Sequence, residues 1–343
     1  MRKWIAGLLI AALAVGAGFG WELWMPRAAG LALGQLQAFP IKRMGVFLLK
    51  HTDPAMKNIS RYLTEEFLES PDEPFLFFGK EEPLPKPPAE SLPAEIKRAN
   101  LSALSGTYTQ YNGTAVANGT DFEIRELVEQ TAELPQFEAG KPAVLIYHTH
   151  TTECYRNEAG RTNTTDESQN VVAVGEAMKA VFEKAGYQTI HIKEIFNQKN
   201  FMQSYSYSRA AVEKVLAENP SIRVVLDVHR DSIVSNGVEF FPVTEVEGKE
   251  AAQVMIVCGT NAKGLEHPDW RKNFVYGLEL SRRMGKLYGE LSRPVNLRTD
   301  RFNTHFTPHT LLLEVGSAAN TLDQAIYGGE LTAAAMIDLW NNT

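Results

Sequence analysis

The sequence predicts an α/β layer fold with a mostly parallel, twisted sheet and helices on both faces. Three observations carry that reading. From about residue 136 onward, short unbroken apolar runs recur, such as Ala143–Tyr147, Val224–Val228 and Thr310–Val315. Runs of that length without alternation suit strands buried on both faces. Between them lie longer segments with helical spacing, and strands alternating with helices imply parallel pairing through crossovers.

In chain order, Ala143–Tyr147 is the first strand. Asn170–Lys184 repeats Val171, Val174, Met178, Val181 and Phe182 at helical spacing, with Gly186 placed to end the helix. Tyr187–Ile192 reads as a strand, Tyr207–Glu218 as a helix, Val224–Val228 and Val254–Cys258 as strands. Asn273–Leu291 is a long helix, Thr310–Val315 a strand, and Leu322–Leu339 a closing helix. In such folds the active site sits beyond the carboxyl ends of strands.

The first 135 residues differ in texture. Trp4–Trp24 is apolar except for Glu22, follows Arg2 and Lys3, and is just long enough to span a bilayer. Residues 1–26 are therefore expected to be an uncleaved transmembrane anchor with its N-terminus inside. The competing reading is a cleaved signal, with Ala14–Ala17 as the small-residue stretch. Either one places the remainder outside the cytoplasm. Met44–Lys50 and Ile59–Leu68 suit a short strand and a helix. Seven of the 17 prolines fall in 71–93, which reads as an extended linker. Asn-Gly pairs at 112–113 and 118–119 mark turns. The expected division is 1–26 anchor or signal, 27–135 extracytoplasmic linker or accessory region, and 136–343 catalytic domain.

The 343 residues carry 34 Lys and Arg against 41 Asp and Glu, a net charge of −7. That excludes a basic nucleic-acid footprint. Two cysteines, Cys154 and Cys258, are too few for a disulfide framework, and Cys258 reads as a buried strand residue.

Three strand ends carry groups able to do chemistry. They are Tyr147–Glu153 (YHTHTTE), Asp227–Asp231 (DVHRD) and Glu314 within TLLLEVG. A catalytic zinc wants three nitrogen or oxygen ligands and an open fourth position. His150 and Glu153 form His-x-x-Glu, and His229 supplies a distant third ligand. A further carboxylate can take a proton from water and pass it to a leaving amine. Glu314, set among apolar residues, suits that task, since a carboxylate there needs a role or a partner. His148 competes with His150, because strand alternation would turn both to one side. His150 and Glu153 are preferred on spacing. Asn303 and His305 precede the Glu314 strand and could orient it or the substrate. His191, His267 and His309 read as structural, and Cys154 as a poor ligand for a hydrolytic site.

The runs VLIYHTHTTE, LDVHRDS, VMIVCGTN, RFNTHF and LLLEVGSAANTLDQA together resemble the stage II sporulation protein P family over roughly 140–343. The last run is also similar to a segment of the zinc N-acetylmuramoyl-L-alanine amidases, and the site plan to that of the zinc carboxypeptidases. The resemblance implies an amidase- or carboxypeptidase-like fold and a membrane-anchored peptidoglycan hydrolase acting in engulfment during sporulation. It implies cleavage of the amide between N-acetylmuramic acid and L-alanine, with endopeptidase action on the stem cross-link as a second activity. It further implies a lytic transglycosylase partner, stage II sporulation protein D. Carried over, His150, Glu153 and His229 become zinc ligands and Glu314 the base; the zinc amidases carry their Glu ligand just before the first helix, and the resemblance to them makes Glu167 the alternative to Glu153. Arg230 becomes a group that binds a substrate carboxylate or polarises the scissile carbonyl. Two other classes compete: a zinc peptidase with the same site plan, and an inactive wall-binding scaffold.

Overall fold

The computed structural model describes residues 95–342, except 103–107, 157–161 and 199. The anchor expected at 1–26, and the strand, helix and proline-rich linker expected between 27 and 93, lie outside the described residues. Among the described residues, no helix is long and apolar enough to cross a membrane.

The elements in order are β1 (Glu95–Ala99), β2 (Thr109–Tyr111), β3 (Thr114–Asn118), α1 (Arg125–Val128), β4 (Pro142–Tyr147), α2 (Val171–Lys184) and β5 (Gln188–His191). There follow α3 (Ser204–Glu218), β6 (Val224–Asp231), β7 (Val234–Ser235), β8 (Val238–Val246), β9 (Lys249–Ala252) and β10 (Val254–Cys258). Last come α4 (Trp270–Tyr288), β11 (Val295–Leu297), β12 (His309–Ser317) and α5 (Leu322–Asn341).

Eight strands form the main sheet in the order β2-β3-β11-β10-β12-β6-β4-β5. Five of its seven pairings are parallel; β2 with β3 and β10 with β12 are antiparallel. The fold is thus mixed α/β. The strand expected at Val254–Cys258 enters the sheet against the direction of its neighbour β12. A smaller sheet joins β1, β8 and β7, with β9 on β8. The segment before residue 136 supplies an edge of the main sheet. Asn112 and Gly113 both take positive φ in the tight β2–β3 turn, as a two-residue hairpin requires.

Alternation along the central strands decides which layer each side chain joins. Val144 and Ile146 of β4, Val224, Leu226 and Val228 of β6, and Leu311, Leu313 and Val315 of β12 pack into one core with α2, α4 and α5. Leu145, Tyr147 and Val225 face the other way, against Val212 and neighbours of α3. Three helices seal one face and α3 covers the other. Asp227 and His229 of β6 therefore point away from the three-helix layer, because their neighbours Leu226 and Val228 point into it.

Helix α5 begins with a capping box between Thr321 and Gln324 and lies against β9 through Gly328. A Cβ at Gly328 would overlap the backbone oxygen of Ala252. Gly328→Ala gains about 1 kcal/mol of helix propensity and loses about 1–3 kcal/mol to overpacking. The expected result is a lower urea midpoint for the variant than for the parent chain.

Candidate active site

Strand β4 ends at Tyr147, and the chain turns at once. Thr149 N donates to Asp227 Oδ1 at 2.9 Å and Thr149 Oγ1 to Asp227 Oδ2 at 2.7 Å. This turn separates the two histidines that alternation would have placed together. His148 goes inward, with Nδ1 2.7 Å from Val228 O and Nε2 2.7 Å from His191 Nε2. His150 goes to the other side and stacks on Phe201, ring centroids 4.5 Å apart, with His229 at 5.3 Å. The shared orientation expected for His148 and His150 is thus corrected: β4 ends at Tyr147, so its alternation governs neither residue.

His229 lies within β6, in register with Glu314 of β12. Its ring sits between two carboxylates, Nδ1 3.3 Å from Glu153 Oε2 and Nε2 2.8 Å from Asp227 Oδ1. The second contact is close but lies outside hydrogen-bonding direction. Burial alone would pull the ring down, yet Asp227 and Glu153 overrule it and hold His229 well above the ordinary imidazole range. In turn, burial would raise Asp227 and Glu153, and His229 reverses this for both. Burial, with His229 adding to it, lowers His150 to about 4.

Glu314 has no such relief. Its Oε2 is buried without a hydrogen-bond partner. Burial lifts its pKa to about 8; His229 opposes the rise, while Glu153 and Asp231 add to it. A pKa this close to neutrality suits a group that must both take up and give back a proton. Tyr205, also buried, places its ring edge-on to His150 at 5.6 Å. Asn303 Nδ2 donates to Tyr205 O at 2.7 Å, so Asn303 fixes the start of α3 rather than Glu314. His305 stacks on Phe306, and His309 bonds Glu133 O.

The structure thus brings His150, Glu153, His229 and Glu314 together, with Asp227 behind them. Glu167 is not among them: it is exposed, and its Oε2 is 3.9 Å from Lys193 Nζ. Arg230 does not present a free guanidinium. Its Nε and Nη2 donate to the carbonyls of Cys154 and Thr162 at 3.2 and 2.9 Å, while its backbone N donates to Glu153 Oε2. Through these carbonyls Arg230 braces the loop that carries Glu153. Sequence reasoning passed over Asp227, Thr149, Tyr205 and Phe201. Only Asp227 left a signal, as an acidic residue two positions before His229 and so on the same face.

As arranged, no group of three His, Cys, Asp or Glu side chains among the described residues is drawn together as a metal cage. The donor chemistry nonetheless suits zinc. His150 Nδ1 is a buried nitrogen without a hydrogen-bond partner, His229 turns its Nδ1 toward the Glu153 carboxylate, and Glu314 stands beside them.

A family model, Stage II sporulation protein P (SpoIIP), matches residues 83–337. Stage II sporulation protein P of Bacillus subtilis (strain 168) is 28% identical over 257 residues. The match takes in 71% of this chain and 58% of that relative, so the chain spans well under two thirds of the relative's length. Among solved structures, the N-acetylmuramoyl-L-alanine amidase AmiC2 of Nostoc punctiforme is similar over 59% of this chain and 97% of its own, at 12% identity and a TM-score of 0.37. The CwlD amidase from Clostridioides difficile, solved in complex with the GerS lipoprotein, covers 57% and 94%, at 12% and 0.37. Likenesses of that order say nothing about residues or substrate.

The isolated carboxyl of Glu314 gives a pH dependence of stability. Unfolded, it loses its proton near 4.5; folded, near 8. The folded state is therefore penalised progressively as pH rises from about 4.5 to about 8, and the penalty is absent below that window. In zinc-free protein, Glu314→Gln is expected to remove that decline and to be more stable than the parent at pH 8 by at least about 1 kcal/mol. Urea melts across the pH range, with EDTA present, measure this.

Proposed function

The chain belongs to the stage II sporulation protein P family, and on that premise we propose that it is a zinc-dependent peptidoglycan hydrolase of sporulation. Its reaction is hydrolysis of the amide between N-acetylmuramic acid and the L-alanine of the stem peptide, with the stem cross-link as a second target. The observation that carries this reading is the buried, unbonded Glu314 carboxyl, one strand from His229 and beside Glu153.

In this reading His150, Glu153 and His229 hold the zinc ion, which when bound supplies a polarised water and a Lewis acid for the amide carbonyl. Glu314 takes the proton from the attacking water and hands it to the nitrogen of L-alanine as the C–N bond breaks. Asp227 holds His229 in place, and Arg230 holds the Glu153 loop through its carbonyls. Phe201 and Tyr205 flank the His150 ring, one stacked on it and one edge-on. Residues 4–24 tether the domain to the outer face of the cytoplasmic membrane, where peptidoglycan and a lytic transglycosylase partner, stage II sporulation protein D, are within reach.

The purified chain is expected to hold about one zinc, and a chelator to abolish hydrolysis. His229→Ala should lose metal and activity together, since two remaining protein ligands hold zinc poorly. Glu314→Gln should keep its zinc and lose at least about a hundredfold in rate. Digested peptidoglycan should release stems with a free L-alanine N-terminus. A chelator-resistant, metal-free enzyme would overturn the reading, and cuts confined to peptide bonds within the stem would favour the peptidase instead.

For the tether, the full-length chain is expected to sediment with membranes and to resist alkaline extraction. Protease added outside the membrane should digest the rest. A soluble mature chain beginning near residue 18 would identify the segment as a cleaved signal.

A further inference from the structure

Behind the His150 turn runs a chain of three short contacts that the proposed chemistry does not use. His148 Nδ1 is 2.7 Å from Val228 O, His148 Nε2 is 2.7 Å from His191 Nε2, and His191 Nδ1 is 2.6 Å from Glu176 Oε1. Glu176 is itself met by Lys193 Nζ at 3.0 Å.

Each gap needs one proton, because two lone pairs cannot face each other at such distances. Val228 O can only accept, so His148 Nδ1 carries a hydrogen. The Glu176 carboxylate, kept ionised by Lys193, accepts as well, so His191 Nδ1 carries another. One more proton lies between the two rings. Two neutral imidazoles supply two protons, and the chain needs three. One ring is therefore an imidazolium balanced by Glu176. His191 touches the carboxylate, so the charge belongs there, and His148 is left as the neutral Nδ1–H form. Burial, with Lys193 and Lys179, holds His191 below the ordinary imidazole range against the pull of Glu176; the third proton is one that the 2.7 and 2.6 Å contacts require against that balance.

The backbone makes room for this arrangement. A Cβ on Gly175 of α2 would stand 2.7 Å from His191 Nε2 and 2.9 Å from His148 Nε2. A glycine inside a helix costs about 1 kcal/mol, and here it opens the space in which the two rings meet.

We propose that Glu176, His191 and His148 form a positioning chain that locks the turn carrying His150 against β6, and so sets the distance between His150 and His229. His148 bonds to Val228 O, next to His229, and is two residues from His150, so one imidazole ties the two ligand-bearing segments together. Its link to ligation rests on the zinc reading above; its protonation pattern does not.

The test uses the full chain, labelled with 15N at histidine and kept in mild detergent. In zinc-free wild type, long-range 1H–15N spectra are expected to show His148 as a single Nδ1–H tautomer and His191 as doubly protonated. His191→Leu should release His148 into a mixture of tautomers and weaken zinc binding about 10–100-fold, the usual cost of losing an outer support. His191→Gln, whose amide can still donate to His148 Nε2, should restore the single tautomer and most of the zinc affinity. Glu176→Ala, a change at an exposed residue, serves if His191→Leu fails to fold, and should also weaken zinc binding and disturb the His191 signals. Wild-type zinc affinity and an unchanged His148 signal in the variants would overturn the proposal, whatever happens to melting temperature. If wild type binds no zinc, the functional reading fails, and the chain is then judged on tautomers alone: a mixed His148 in wild type would sink it.

Discussion

Everything at this site depends on how one buried carboxylate is satisfied. Asp227 is fully enclosed, and an unpaired charge there would cost several kcal/mol. The protein meets that demand with a backbone N–H and a hydroxyl from Thr149, and with the ring of His229. These partners come from the turn after β4 and from β6 itself. Satisfying Asp227 therefore fixes the end of β4 against the middle of β6, and with it the side to which the next histidine, His150, must turn. The support extends further: Thr149 Oγ1 meets Ser208 Oγ of α3 at 3.0 Å, and Asn303 Nδ2 reaches the same hydroxyl at 3.3 Å.

His229 in turn stands between Asp227 and Glu153, and the two carboxylates share a single imidazole as counter-charge. Glu314, the third acid nearby, draws on the same imidazole too weakly to offset its burial, and its pKa rises to about 8. This division follows from distance and alignment rather than residue type, since all three are ordinary carboxylic acids. Phe302 and Asn303 both take positive φ beside Tyr205. For a bulky residue such as Phe302 this is a strained backbone, held here by the contacts around α3.

The central strands were legible in the sequence because they are buried on both faces and so read as unbroken apolar runs; β4, β6, β10 and β12 all announce themselves this way. The helices were legible through their spacing, and Asn170 does cap α2 by accepting from Val172 N. The β8–β9 hairpin was harder, because Val238–Val246 mixes exposed and buried positions and β8 also pairs with β1, which is remote in sequence. Its turn, Glu247-Gly248, has positive φ at both positions without an Asn-Gly or Asp-Gly signal. At the site, His229 and Glu314 could be found from their places on apolar strands. The separation of His148 from His150 could not, because it depends on where β4 stops and on Asp227, 78 residues away. The grip of Arg230 on its own loop was hidden for a related reason: nothing in a sequence tells which acceptors a guanidinium meets.

The alternation that sends Val228 into the helical layer and His229 away from it also limits how such a chain can diverge. A side chain on these strands can be exchanged for another of similar bulk and leave every neighbour on its proper side. One residue added between Val224 and His229 would instead move the imidazole among Met178, Phe182 and their neighbours, and bring a valine to face Glu153. Compensating changes elsewhere could not undo that reversal, because the whole strand would be inverted relative to β4 and β12. Insertions and deletions are therefore confined to the turns, and descent through these three strands is a history of substitution at constant length.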